Sequence, residues 1–343
     1  MDFLSKVIKD SNNEFVSMAV DGVAAGDIEY YIDTGSYVFN ALVSGSLFGG
    51  IPSNKITALA GGEGTGKTFF CLSIVRNFLD SDPTAGVIYF ETESAISKKM
   101  IESRNIDSKR LIIYPVDTVE EFRTHAVRII DKYMEQPKEE RKPLMFVLDS
   151  LGMLSTLKEV QDASDDKQVR DMTKAQLVKS VFRILTLKLG KANIPMLVTN
   201  HTYDAIGSYI TEQKMGGGAG LKYSASTIIF LSKKKEKEGT DLVGNIIKCE
   251  AKKSRLTREG SKVETRLFFD GRALEKYYGL LELGEEAGIW KNVAGRYEID
   301  GKKVYGKEIL KNPEKYFTED VMAKLEERAM TEFSYGVRDD GED

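Results

Sequence analysis

From Ile56 onward the chain alternates short apolar runs with longer stretches of helical periodicity. The runs are Ile56 to Ala60, Val87 to Phe90, Leu144 to Leu148, Met196 to Thr199 and Thr227 to Leu231. Runs this short, without strict polar alternation, are what strands covered on both faces look like, and helices between them predict a mostly parallel α/β sheet. Asn245 to Glu250 and Val263 to Phe269 predict added strands that extend it. Ahead of this core, residues 2–20 place Phe3, Leu4, Val7, Ile8, Phe15, Val16 and Met18 at roughly helical spacing. That predicts an amphipathic helix, packed on its own core or docked on a neighbouring subunit. After about Asp270 helical stretches are punctuated by Gly279, Gly284, Gly288, Gly295, Gly301 and Gly306, and Pro313 precedes a helix over Asp320 to Phe333. The expected organisation is a helical arm and linker over 1–44, a core over 45–270, a small α/β domain over 271–333 and a mobile acidic tail over 334–343.

Composition narrows the class. At 343 residues, 41% hydrophobic and 30% charged, the chain has material for one large core with an appendage. Cys71 and Cys249 are its two cysteines and His125 and His201 its two histidines, which leaves neither a disulfide framework nor zinc-ligand spacing. No apolar run reaches the roughly 20 residues of a membrane helix. The reading is therefore a cytoplasmic chain without a membrane partner. The formal net charge of −4 does not exclude nucleic acid, because the charges are segregated: cations gather at Lys233 to Lys237 and Lys248 to Arg258, and acids at Asp339 to Asp343.

The clearest chemistry lies in Gly61-Gly62-Glu63-Gly64-Thr65-Gly66-Lys67-Thr68, which fits G-x-x-x-x-G-K-[ST] between a predicted strand and the helix that Phe69 opens. Glycines let backbone N–H groups turn inward onto phosphate oxygens, Lys67 reaches the terminal phosphates, and the Thr68 hydroxyl suits Mg²⁺. ATP and Mg²⁺ are the implied cofactors. Hydrolysis also needs a carboxylate behind the metal and a group that orients water. Asp149 closes the strand Leu144 to Leu148, where ligands of parallel sheets gather. Glu91 and Glu93 close Val87 to Phe90; either suits the water, and either is also at home as a cap or a loop acid. His201 closes Met196 to Asn200, as a γ-phosphate sensor or a structural hydrogen-bonder.

Taken together, Ile32-Asp33-Thr34-Gly35-Ser36, the glycine-rich cradle, Phe90 to Glu93, Val147 to Ser150 and Thr199 to Thr202 resemble the RecA family in order and spacing. Leu148 to Gly152, Asn200 to Tyr203 and Met215 to Gly218 look most like its T-even phage UvsX group. Tyr278 to Gly284 and the small domain after it also resemble RecA. The resemblance implies a RecA-type P-loop ATPase core with a helical arm and a small C-terminal α/β domain. It implies Glu93 as the catalytic glutamate, His201 as the residue coupling γ-phosphate to DNA, and Met100 where the family places an aromatic ring against adenine. His201 departs from the glutamine of RecA itself and agrees with the phage group. Lys253 and Arg255 match the cations that such filaments extend to the ATP of the adjacent subunit; on residues alone, Lys252 to Arg258 is a basic surface.

Two stretches match DNA loops that order on binding. Leu157 to Met172 carries Lys167 and Arg170; Tyr203 to Gly218 carries Tyr209, Lys214, Gly216, Gly217 and Gly218. Aromatic and basic groups on glycine hinges suit base wedging with phosphate contact, and equally an active-site lid. On the helix Thr173 to Lys188, Arg183 aligns with a family DNA contact. The function implied is an ATP-dependent, DNA-stimulated recombinase that coats single-stranded DNA as a filament and pairs it with homologous duplex. A mediator and a single-strand-binding protein are its implied partners, in the cytoplasm of an infected bacterial cell if phage-encoded. The alternatives are a hexameric helicase on the same core or a noncatalytic recombinase regulator.

Overall fold

A computed structural model of the chain describes residues 3–165, 173–204, 213–216, 219–238, 241–299 and 301–335. The arm carries α1 (Phe3–Asp10), and a short antiparallel pair, β1 (Tyr31–Ile32) and β2 (Ile51–Pro52), brackets α2 (Tyr37–Ser44). The core runs β3 (Ile56–Gly61), α3 (Lys67–Ser81), β4 (Gly86–Glu91), α4 (Lys98–Glu102), β5 (Leu111–Pro115), α5 (Val119–Met134) and β6 (Leu144–Asp149). It continues through α6 (Leu157–Ser164), α7 (Lys174–Ala192), β7 (Met196–Asp204), β8 (Gln213–Met215) and α8 (Ala219–Ser224) to β9 (Thr227–Glu238), β10 (Asp241–Ser254) and β11 (Lys262–Phe268). The remainder holds α9 (Leu280–Glu286), β12 (Lys291–Val293), β13 (Arg296–Ile299), β14 (Lys302–Tyr305), α10 (Gly306–Lys311), α11 (Pro313–Tyr316) and α12 (Glu319–Phe333).

The main sheet has the order β11-β10-β9-β3-β7-β6-β4-β5. Its strands from β9 to β5 are parallel, β10 and β11 continue it antiparallel, and β8 folds back on the end of β7. Successive residues of each central strand feed opposite faces. Val87 and Tyr89, Met145 and Val147, and Leu197 join one core with α2, α3 and the small domain. Ile88 and Phe90, Phe146 and Leu148, and Val198 join the other with α5 and α7. Burial on both faces is why these strands read as unbroken apolar runs. Among the described residues no helix is long and apolar enough to cross a membrane.

Four expectations change. The helix read over residues 2–20 stops at Asp10, because Asn12 takes a left-handed φ of 48° and Asn13 accepts the Phe15 N–H through its side chain. The start of the first loop is helical: Thr156 and Glu159 form a reciprocal capping box that starts α6. The run at β5, not among those expected, adds the strand at the sheet's outer edge. Ser334 and Tyr335, assigned to the tail, are held by the core: Arg258 donates to the Ser334 carbonyl at 3.0 Å and Tyr335 to that of Ser254 at 3.1 Å.

In the small domain Trp290 donates to the Leu281 carbonyl at 2.7 Å and packs edge-on against Phe317. A Cβ on Gly284 would lie 2.2 Å from its ring. Gly284→Ala is expected to destabilise this domain by about 1–3 kcal/mol, the usual cost of overpacking. Urea unfolding followed by fluorescence of Trp290, the chain's one tryptophan, checks this; an unchanged midpoint contradicts it.

Candidate active site

Strand β3 ends at Gly61, and the chain turns through residues 62–66 into α3. Gly64 and Gly66 have φ of 63° and 94°, which glycine adopts without strain. A Cβ on Gly66 would sit 2.7 Å from Leu267 and one on Gly61 2.7 Å from the Leu231 carbonyl, whereas one on Gly62 would meet nothing within 4 Å. The loop is thus packed tightly behind and open in front. Helix α3 has no acid in its first turn to offset its positive end.

Lys67 is 7% exposed, and its ammonium donates to the carbonyls of Gly61 and Gly62 at 2.9 and 3.0 Å. Burial holds its pKa below the ordinary lysine value, while Asp149 and Glu93 pull the other way. A cation outside the sequence reading also reaches this loop. Lys233 of β9 donates to the Gly64 carbonyl at 2.6 Å. Its only signal was its place in the lysine run.

Parallel registry brings the other strand ends alongside. Gly61 pairs with His201, and Glu91 with Asp149. Asp149 is buried at 6% exposure; Thr199 donates to one of its oxygens, and Tyr89 to the other at 2.7 Å. Beyond β4, Glu93 Oε1 accepts from the fully buried Ser150 hydroxyl at 2.6 Å and lies 3.2 Å from His201 Nε2, with Ser150 Oγ and His201 Nε2 3.4 Å apart. Burial would raise the Glu93 pKa, but Ser150, His201 and Lys67 outweigh it and hold the carboxyl below its ordinary value. Ser150 was not singled out from sequence, although it directly follows Asp149. Glu91 faces the other way, onto three backbone N–H groups of its own loop.

His201 is tied to the second expected loop. Asn200 donates to the Gly216 carbonyl at 2.7 Å, and the Gly216 N–H to that of His201 at 3.0 Å. Lys214 stands opposite Tyr203 in the β7–β8 ladder. Lys167, Arg170, Tyr209, Gly217 and Gly218 lie outside the described residues. Arg183 is exposed on α7. Met100 packs half-buried against the same core as Phe69. Arg104 stacks 4.0 Å over the Phe69 ring and donates to the Phe269 carbonyl at 3.1 Å, a pair the sequence did not announce.

Lys253 and Arg255 stand elsewhere. Lys253 pairs with Ile228 and Ser254 with Thr227, at the start of β9, while Leu231 flanks Gly61. Thr57, opposite Thr227, lies four residues of strand below Gly61, or roughly 13 Å. The Lys253 ammonium donates to the carbonyls of Lys222, Tyr223 and Ala225 at 2.7, 3.1 and 2.7 Å, and Arg255 to that of Tyr223 at 3.3 Å. Together they cap the C-terminus of α8, where cations are favoured.

A family model described as the RecA N-terminal domain matches residues 3–272. The chain belongs to the RecA family. It is 34% identical over 252 residues to the "Recombination and repair protein" of Enterobacteria phage T4, covering 74% of this chain and 62% of that protein's length. It is 25% identical to the RecA proteins of Streptomyces rimosus, over 77% of this chain and 68% of the relative, and of Thermus aquaticus, over 82% and 81%. The family-model match ends at residue 272, just beyond β11, so the small domain lies outside that match.

Proposed function

We propose that this RecA-family chain is an ATP-dependent DNA recombinase that polymerises on single-stranded DNA and exchanges it into homologous duplex. The observation that carries the reading is the Glu93–Ser150–His201 cluster, which sits beside the phosphate cradle with its His201 on the strand that leads into the second loop. The cradle and the open N-terminus of α3 bind the phosphates, with Lys67 exchanging loop carbonyls for phosphate oxygens. Glu93, kept ionised by its surroundings, accepts the proton of the attacking water. His201 registers the γ-phosphate and passes its position to Gly216 and Lys214 through the β7–β8 pairing. Phe69 and Met100 cover the base side.

Mg²⁺ fits the oxygen donors present, the Thr68 hydroxyl and the Asp149 carboxylate, which suit a hard cation. Thr199 and Tyr89 each donate to one Asp149 oxygen and so fix the carboxylate, which would hold the ion directly or through its water with the lone pairs that remain. When bound, the ion neutralises charge on the phosphates.

Lys253 and Arg255 act on the neighbouring subunit's ATP. Lying at the opposite end of the strands from their own cradle, they call for a head-to-tail contact, the kind that closes a ring or runs on as a helix. Helix α1, with Phe3, Leu4 and Val7 exposed and no residue buried, supplies an apolar surface for the same assembly. Lys167, Arg170, Arg183, Tyr209, Lys214 and Gly216 to Gly218 are the proposed DNA contacts. A mediator and a single-strand-binding protein complete the expected partners.

Turnover stimulated by single-stranded DNA, strand exchange between matched and mismatched substrates, and electron micrographs with an ATP analogue test the proposal. Helical filaments and homology-dependent exchange are expected; rings favour a helicase, and binding of ATP without turnover favours a regulator. DNA affinity is expected to fall by about 0.7 log units per log unit of salt for each phosphate neutralised, and a flat response argues against a DNA-coating role.

A further inference from the structure

Glu91 is an acid at a strand end, 8% exposed, with no cation at ion-pair distance among the described residues. An ionised carboxylate so placed needs strong hydrogen bonds. It finds them in the loop that follows: the N–H groups of Glu93 and Ala95 donate to Oε1 at 3.1 and 2.8 Å, and that of Ser94 to Oε2 at 2.9 Å. The turn that points these three groups at one anion includes Ser94 at a left-handed φ of 54°, a conformation unfavourable for serine.

The preceding residue is fastened as well. Thr92 donates its N–H to the Asp149 carbonyl at 3.0 Å, and its hydroxyl accepts from the Ser150 N–H at 2.7 Å. Every backbone N–H from residue 92 to 95 is therefore engaged, one on the tip of β6 and three on Glu91. Within this loop the side chain of Glu93 is what remains to point toward the cradle, and it does so onto Ser150 and His201. We infer that Glu91 is a positioning residue for hydrolysis, holding the Glu93 carboxylate in place through the backbone of residues 93–95.

The inference rests on the proposed role of Glu93. It also assigns the two acids different work. Glu91 has both oxygens committed to backbone and cannot approach water, whereas Glu93 shares one oxygen with Ser150 and His201. Charge-assisted bonds to a buried carboxylate are among the stronger ones, and a displacement of about 1 Å in a catalytic group costs on the order of 10²-fold in rate.

The test uses the full chain with ATP, Mg²⁺ and single-stranded DNA, and compares Glu91→Ala, Glu91→Gln and Glu93→Gln. Glu91→Ala is expected to lower kcat on the order of 10²-fold while the KM for ATP and the equilibrium affinity for an ATP analogue stay within about twofold. Glu91→Gln keeps an amide oxygen that accepts the Glu93 and Ala95 N–H groups, and is expected to restore most of the lost kcat. Were Glu91→Ala not to fold, Glu91→Gln still decides, through a partial fall in kcat at unchanged KM. Wild-type kcat in Glu91→Ala overturns the inference, as does wild-type kcat in Glu91→Gln where Glu91→Ala does not fold; a loss of ATP affinity matching the loss of rate overturns it too, by making Glu91 a support of the cradle. Glu93→Gln separates the two levels: if it too leaves turnover intact, the reading of the site fails; if it alone abolishes turnover, only the role of Glu91 falls.

Discussion

Glu93→Gln is expected to stop ATP turnover while leaving ATP binding intact. The substitution keeps an oxygen that can accept from Ser150 and removes the charge and basicity that water activation requires. In the proposed site phosphate binding rests on other groups, the cradle backbone, Lys67 and the N-terminus of α3, none of which is hydrogen-bonded to Glu93. A fall in kcat of roughly 10²- to 10⁴-fold is the usual loss for a general base. Steady-state hydrolysis with single-stranded DNA, set beside equilibrium binding of a fluorescent ATP analogue, checks both halves. Turnover that survives would move the base elsewhere, and lost binding would make Glu93 part of the phosphate site.

Lys253→Ala or Arg255→Ala is expected to abolish DNA-stimulated hydrolysis, with ATP binding by the isolated chain nearly unchanged. Cations supplied across an interface to a transferring phosphoryl group contribute about 10³- to 10⁵-fold in related ATPases and GTPases. Simple loss of activity is not decisive, because Lys253 also caps α8 and its removal takes a donor away from three carbonyls. Mixing decides. A chain with Lys253→Ala retains its cradle, and a chain with Glu93→Gln retains its cations. If the cations serve the neighbour, the mixture regains turnover that neither variant has alone. No recovery, or loss of ATP binding in the isolated Lys253→Ala chain, rejects the arrangement in trans.

The sheet was legible because its central strands are buried on both faces, which forces Val87 to Phe90 and Leu144 to Leu148 into unbroken apolar runs. The turn from β3 into α3 was legible because its glycines must stand where the chain takes left-handed angles and packs closely behind. Contacts made through space left less trace. Nothing in Phe90 to Glu93 says which acid turns back onto the backbone, since that depends on the left-handed turn at Ser94. Ser150 gave no sign of joining Glu93 to His201, because the contact joins residues at the ends of three different strands. The start of α6 was different: Thr156 and Glu159 spell a helix beginning, where the family resemblance implied a loop.

The end of the described chain has a bearing on assembly. Tyr335 is bonded to the carbonyl of Ser254, the residue between Lys253 and Arg255, and Arg258 holds Ser334 just beside it. Glu326 of α12 is bonded to the Leu47 N–H as well. The polypeptide from β11 through the small domain thus closes on itself like a belt buckled at the junction that would meet the next subunit. Swinging the small domain about its covalent joint alone would unbuckle it, so trimming residues 333–335 alters that junction rather than a remote appendage.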